Sequence, residues 1–405
     1  MLDLIGNVTE LESETIGVVA EWGQARTILV NTPTASELFM GILHPKAALF
    51  SCPFDPFAAM NEHKEFIKLL ENQGVRVINV RDVLLANTSD RQGKALGNLR
   101  QLASASLQYH FNGVDDFSQD RYKEMVINGL SAQTLVDIIL NKPKIDLEAT
   151  DYNTGFEARY STKPLMNLYF LRDQSITTCK GVVMAKMNSP QREDEVAVIN
   201  FVYNKLGITP VYQIVGDGRL EGGDFITAAE VDFIGQGLRT NEEAIMQLID
   251  NGVLCANKLV VVKDSFFSQD QMHLDTYFNI IAPGKAVLVE TRLGVDFSDV
   301  MSLHADIYQR NEFGFELTSS DVSFVDFLQK DLNYQIIPVP FEDQLKYGVN
   351  FITVSANNIL AIDGVSYEYK YAIGQAGVNA TWMNFSNLTC GYGAAHCTTQ
   401  VIYRN

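Results

Sequence analysis

The chain is short of positive charge: 31 Lys and Arg stand against 49 Asp and Glu, a formal net charge of -18. A surface of that sign repels phosphate backbones and anionic lipid, which speaks against nucleic-acid and membrane-surface roles and leaves small cations as favoured partners. Long apolar runs are missing, so no membrane-spanning segment is expected. The opening stretch from Met1 to Glu10 lacks the basic then apolar pattern of a secretory signal. A cytoplasmic location is the resulting expectation. Only five cysteines occur, Cys52, Cys179, Cys255, Cys390 and Cys397, scattered and odd in number. They predict no disulfide framework and mostly buried thiols. No Cys-x-x-Cys or His-x-x-x-His pair marks a metal site, so neither a metal nor another cofactor is expected.

What remains is a chain of 405 residues with 46% hydrophobic side chains, enough to bury a large core. One unit recurs along it: short strands, an amphipathic helix, then a strand. The first copy reads as strand 26–30, helix 60–72 and strand 75–80; the second runs from Leu168 through strand 181–184 and helix 193–205 to strand 211–215. A third starts at Glu221, with strands at 231–234 and 258–263 around a helix at 242–250. The fourth starts at His273, with strand 285–290, a helix over 322–332 and strand 335–339. A fifth covers a strand pair within 349–362. Repetition of a mixed unit predicts an α/β fold closed into a five-bladed propeller around one shared site. Residues 82–151 break the pattern with three helical stretches and read as a helical insertion. The chain then divides into a first blade (1–81), the insertion (82–151) and the remaining blades (152–405). A doubly wound sheet is the alternative, but it requires longer single-strand units.

Chemistry is concentrated in four motifs. The loop from Cys390 to Cys397 is rich in small residues and presents a cysteine suited to nucleophilic attack, because a substrate can approach the sulfur closely. His273 is the best proton carrier, and Asp275, two residues on, would share its face if the segment is a strand. Glu221 opens a Glu-Gly-Gly-Asp motif and can orient or charge-balance that histidine. Asp173 adds a further carboxylate. Several carboxylates beside one thiol suit a planar cation such as guanidinium, which they grip in bidentate fashion. Glu221 to Asp224 also reads as a plain tight turn, and His396-Cys397 as an ordinary buried pair.

In these motifs the chain resembles the arginine deiminases of the guanidino-group-modifying (pentein) superfamily, from Ala25 through the insertion to the terminal cysteine. The resemblance implies a five-bladed α/β propeller that hydrolyses L-arginine to L-citrulline and ammonia through a covalent thiouronium. It implies Cys397 as nucleophile, His273 assisted by Glu221 as acid and base, and Asp173 and Asp275 as guanidinium holders. Arg192 and Arg239 match the family's arginines for the amino-acid end, and Asn167 and Phe170 match residues lining the substrate stem. Two positions depart from the family. Gln174 replaces a proline, and Tyr392 stands where an arginine is expected near the α-carboxylate, which bears on whether L-arginine itself is the substrate. The alternatives are an amidinotransferase or hydrolase acting on another guanidino compound, and an idle interaction protein, which would be expected to lose the cysteine or histidine. A homo-oligomer is left open.

Overall fold

Runs such as Phe278–Ala282, Phe225–Ala228 and Gly181–Met184 are buried along their whole length, the pattern of strands covered on both faces. The computed structural model describes residues 16–112, 116–294 and 301–405. The stretch from Met1 to Glu10 and the start of the 1–81 segment lie outside them.

The architecture is α/β. Six sheets form among the described residues, and in five of them one strand pairs antiparallel on one side and leads through a helix to a parallel strand on the other. Ser175–Thr178 pairs with Gly181–Met184, and the chain returns through the helix Glu193–Lys205 to lay Tyr212–Gln213 parallel to it. Three acidic residues in that helix's first turn and Lys205 in its last complement the helix dipole, which is why its limits were readable in the sequence. The same plan joins Phe225–Ala228, Val231–Gln236 and Lys258–Lys263; then Phe278–Ala282, Lys285–Val289 and Gln335–Val339; then Ile352–Ser355, Asn358–Ile362 and Asn379–Met383. The fifth such sheet mixes both ends of the described chain: Ala25–Val30 runs parallel to Arg76–Asn79 and antiparallel to Gln400–Arg404. The first unit therefore shows one strand before its helix in the sequence because its partner strand comes last.

Several expectations need correction. The insertion is not purely helical. Its helices, among them Lys94–Ser106 and Ala132–Asn141, accompany a sheet of Gln108–Asn112, Pro143–Ala149 and Phe156–Thr162, so a boundary at 151 cuts a hairpin. Tyr109 and Phe111 alternate with polar residues and register against Ile145 and Leu147, a period-two pattern overlooked beside the stronger helical signals. The helix expected over 322–332 is present as Phe324–Asp326 continued by a π-helical Phe327–Asp331, starting two residues late because Gly314–Ser323 is a strand that pairs with His304–Asn311 and extends the sheet of Phe225–Ala228, Val231–Gln236 and Lys258–Lys263. Strand 211–215 shrinks to Tyr212–Gln213. Cys179 and Cys255 are joined in a disulfide, and Cys52 is exposed. The fold brings that pair to a Cα separation of 6.1 Å across 76 residues, which spacing cannot reveal. No helix among the described residues is long and apolar enough to cross a membrane.

Candidate active site

Each of the five sheets is preceded by a buried polar residue at the approach to its antiparallel pair. Asp173 precedes Ser175–Thr178, Glu221 precedes Phe225–Ala228, His273 precedes Phe278–Ala282, Asn350 precedes Ile352–Ser355 and Cys397 precedes Gln400–Arg404. Equivalent positions in repeated units converge, so residues far apart in sequence meet.

His273 is held at its ring and its backbone. Its Nε2 lies 2.9 Å from Glu221 Oε2, and the next backbone N–H, of Leu274, donates to Asp224 Oδ1 at 2.9 Å. The glycine pair after Glu221 exists for close approach as well as for a turn: a Cβ on Gly223 would lie 2.7 Å from His273 Nδ1, and one on Gly222 2.0 Å from the Arg172 carbonyl oxygen. Burial by itself would lower the imidazole pKa, but Asp173, the Glu221 hydrogen bond and Asp224 outweigh it and raise the pKa to about 9. The ring is therefore an imidazolium at neutral pH. Its Nδ1 stands 3.6 Å from Asp173 Oδ1, and neither atom has a hydrogen-bond partner. A donor and an acceptor thus sit side by side as an ion pair, each free of hydrogen bonds.

Asp275 does not share a strand face with His273, because Leu274–Thr276 is a 3-10 turn. The turn carries Asp275 to the opposite neighbours: His396 Nδ1 donates to its Oδ2 at 2.7 Å, and the Cys397 sulfur lies 3.5 Å from the same oxygen. Burial would raise the Asp275 carboxyl, but the His396 hydrogen bond and surrounding positive charge bring it below the usual range. Cys397 is pushed well above the ordinary thiol range, first by burial and then by the charges of Asp275 and Asp173. Both influences favour the protonated thiol over the thiolate.

Asn350 was overlooked in the sequence, as was the role of His396. The Asn350 Oδ1 accepts from Ala394 N at 2.9 Å and Cys397 N at 3.2 Å, while its Nδ2 donates to the Asp275 carbonyl at 3.0 Å. One buried side chain thus ties the Cys397 loop to the Asp275 turn. The available signal was its place in the fifth repeat, matching Asp173, Glu221 and His273.

Asp173, Asn167, Phe170, Arg192, Arg239, His273, Tyr392 and Cys397 line one pocket, with Glu221 and Asp275 directly behind it. The two arginines differ in what they have left to give. Arg192 directs Nη1 to Asp173 Oδ2 at 2.6 Å, Nε and Nη2 to Glu195, and Nη2 also to the carbonyls of Asn167 and Phe170. Gln174 braces the same cluster, donating to Glu195 at 2.6 Å and to the Phe170 carbonyl at 3.0 Å. Arg239 donates to Gln269 at 3.0 Å, and its Nε has no partner. The Asn167 amide is committed to the Ala48 carbonyl at 3.1 Å.

Asp173, Glu221 and His273 offer ligand atoms within 4.8 Å of one another, close enough for a metal ion. Charge suits a bare ion poorly there: Arg192 already pairs with Asp173, Arg239 Nη1 lies 3.8 Å from Glu221, and a protonated imidazole has no lone pair to give. A cation bearing its own N–H groups fits the free Asp173 oxygen better.

The family model described as arginine deiminase matches residues 46–404. The chain belongs to the arginine deiminase family. It is 24% identical to an arginine deiminase of Halobacterium salinarum, with 97% of both chains covered, and 25% identical to one of Listeria innocua, with 96% of this chain and 98% of that one covered. Solved structures of similar fold include the DDAH of Pseudomonas aeruginosa complexed with citrulline (14% identity, TM-score 0.53, 93% of this chain and 99% of that one). An amidinotransferase of Microseira wollei from saxitoxin biosynthesis is similar too (13%, TM-score 0.54, 97% and 98%).

Proposed function

We propose that this protein is an arginine deiminase, hydrolysing L-arginine to L-citrulline and ammonia through a covalent Cys397 intermediate. The observation that carries the reading is the free Asp173 Oδ1 beside the free His273 Nδ1, facing a thiol backed by Asp275. An incoming guanidinium pairs with Asp173 and Asp275. Its positive charge offsets the anions that keep the thiol protonated, so the nucleophile is activated by the substrate it attacks. The Cys397 thiol releases its proton to solvent as the guanidinium settles, the thiolate sulfur bonds to the guanidinium carbon, and His273 gives its proton to the nitrogen whose bond to that carbon breaks and which leaves as ammonia. Water, deprotonated by the now neutral His273, adds to the thiouronium carbon. The C–S bond then breaks, returning the thiol and releasing citrulline. Glu221 steadies His273 throughout.

The amino-acid end meets Arg239, whose Nε is unspent, and the Tyr392 hydroxyl, with Asn167 and Phe170 along the stem. Arg192 acts mainly through Asp173. We also read the five like sheets as a five-bladed α/β propeller, supported by the pairing of Gln400–Arg404 with Ala25–Val30 and by one site residue per unit. In that reading residues from about 82 to 162 form the insertion. Three free cysteines, one of them the nucleophile, favour a reducing, cytoplasmic location, with the Cys179–Cys255 bond pulling the other way.

Tyr392 supports a second reading, a hydrolase or amidinotransferase for a guanidino compound without an α-carboxylate, since a phenol replaces a charged fork. Product masses from arginine, agmatine and other guanidino compounds, with and without amine acceptors, separate the readings. Citrulline and ammonia from arginine, lost in Cys397→Ala with the fold intact, is the expected result. Retained turnover in that variant would remove the covalent mechanism.

A further inference from the structure

Two free cysteines lie outside the reaction but at its doorstep. Leu49 and the run Gly391, Tyr392 and Gly393 line the pocket, placing Cys52 and Cys390 on the two segments that border it. Ser51 stitches these segments together: its N–H donates to the Cys390 carbonyl at 2.6 Å and its hydroxyl to the same oxygen at 3.1 Å. Cys52 is exposed and Cys390 buried; the Ser51 hydroxyl also lies 3.6 Å from the Cys52 sulfur, so one residue touches both cysteines, while the Cys390 thiol donates to the Ser386 carbonyl at 3.6 Å.

We propose that Cys52 and Cys390 form a reversible disulfide under peroxide, and that this bond restricts substrate passage past Tyr392. The Cys52 thiolate attacks one peroxide oxygen, giving a sulfenic acid and hydroxide, which takes up a proton as water. The Cys390 sulfur then bonds to the Cys52 sulfur, the S–O bond breaks, and the Cys390 proton leaves with the hydroxyl as a second water. In sum, two thiols lose two electrons and one peroxide is reduced. Exposure assigns the roles. Cys52 meets the oxidant, while burial and the Cys52 contact push the Cys390 thiol up to about 12, so it keeps its proton until the second step. Cys397 is only 2% exposed and its thiol is also held protonated, so Cys52 reacts first. The bond would anchor the chain two residues from Tyr392, whose backbone is already held in a left-handed conformation at φ 65°.

The test is peroxide titration of the protein and of Cys52→Ser, read by peptide mass mapping and by turnover. We expect a Cys52–Cys390 linked peptide, a fall in kcat/KM of about tenfold, and recovery with dithiothreitol. Cys52→Ser should match the starting activity and keep it through the same exposure. The turnover arm rests on the deiminase reading; the linkage arm does not, and is repeated in Cys397→Ala. Absence of the linked peptide in both proteins overturns the proposal. So does a linked enzyme of undiminished rate, or equal loss in Cys52→Ser.

Discussion

Asp275 stands 3.5 Å from the Cys397 sulfur, and after burial its charge is the largest influence keeping that thiol protonated. Two unit charges at that separation repel by about 5 kcal/mol at an effective dielectric of about 20, equivalent to roughly three pKa units. Asp275→Asn removes the repulsion and keeps the shape. The empty enzyme should then react faster with iodoacetamide, by about tenfold near neutral pH, because the gain in thiolate exceeds the loss in nucleophilicity. Turnover should move the opposite way. The guanidinium loses a charge-assisted partner worth about 1.5–3 kcal/mol, so kcat/KM falls at least about tenfold. Alkylation followed by mass across a pH series, beside citrulline formation, reads both quantities. Alkylation that slows in step with turnover would refute the reasoning, since Asp275 would then be drawing the proton off the thiol.

Three further outcomes are expected. His273 has its pKa raised from 6.5 to about 9, so kcat/KM should fall as pH rises through 9, and the stability linked to the raised pKa, full below 6.5, should be lost over the same rise; a pH-rate profile flat to about 10 contradicts this. Asn350→Ala leaves two N–H groups and a carbonyl unpaired in a buried site, at roughly 1–3 kcal/mol each; a lowered Tm with kcat reduced more than KM is raised would fit, and unchanged kinetics would not. Tyr392→Arg restores a charged fork opposite Arg239 and should lower KM for arginine, by about tenfold, with little change in kcat; a wild type that prefers agmatine, or a variant that loses its reaction, would favour the second substrate reading.

The repeats and the candidate reactive residues were legible because both are local. The apolar runs, the acidic first turn of Glu193–Lys205 and the motifs at Glu221, His273 and Cys397 announce themselves within a few residues. Even the Glu-Gly-Gly-Asp glycines carry a local mark, although their purpose, room for the His273 ring, lies 50 residues away. The tertiary structure decided which groups face one another. His396 reaches Asp275 across 121 residues, Arg192 is spent on Asp173 and Glu195 while Arg239 keeps a free N–H, and Asn350 joins two loops that no spacing relates. Periodicity tells a chain where to turn, but the partner of a buried polar group is whichever atom the packing of distant units brings within about 3 Å. That is why a candidate nucleophile could be read from the sequence, while its protonation and its partners had to come from the fold.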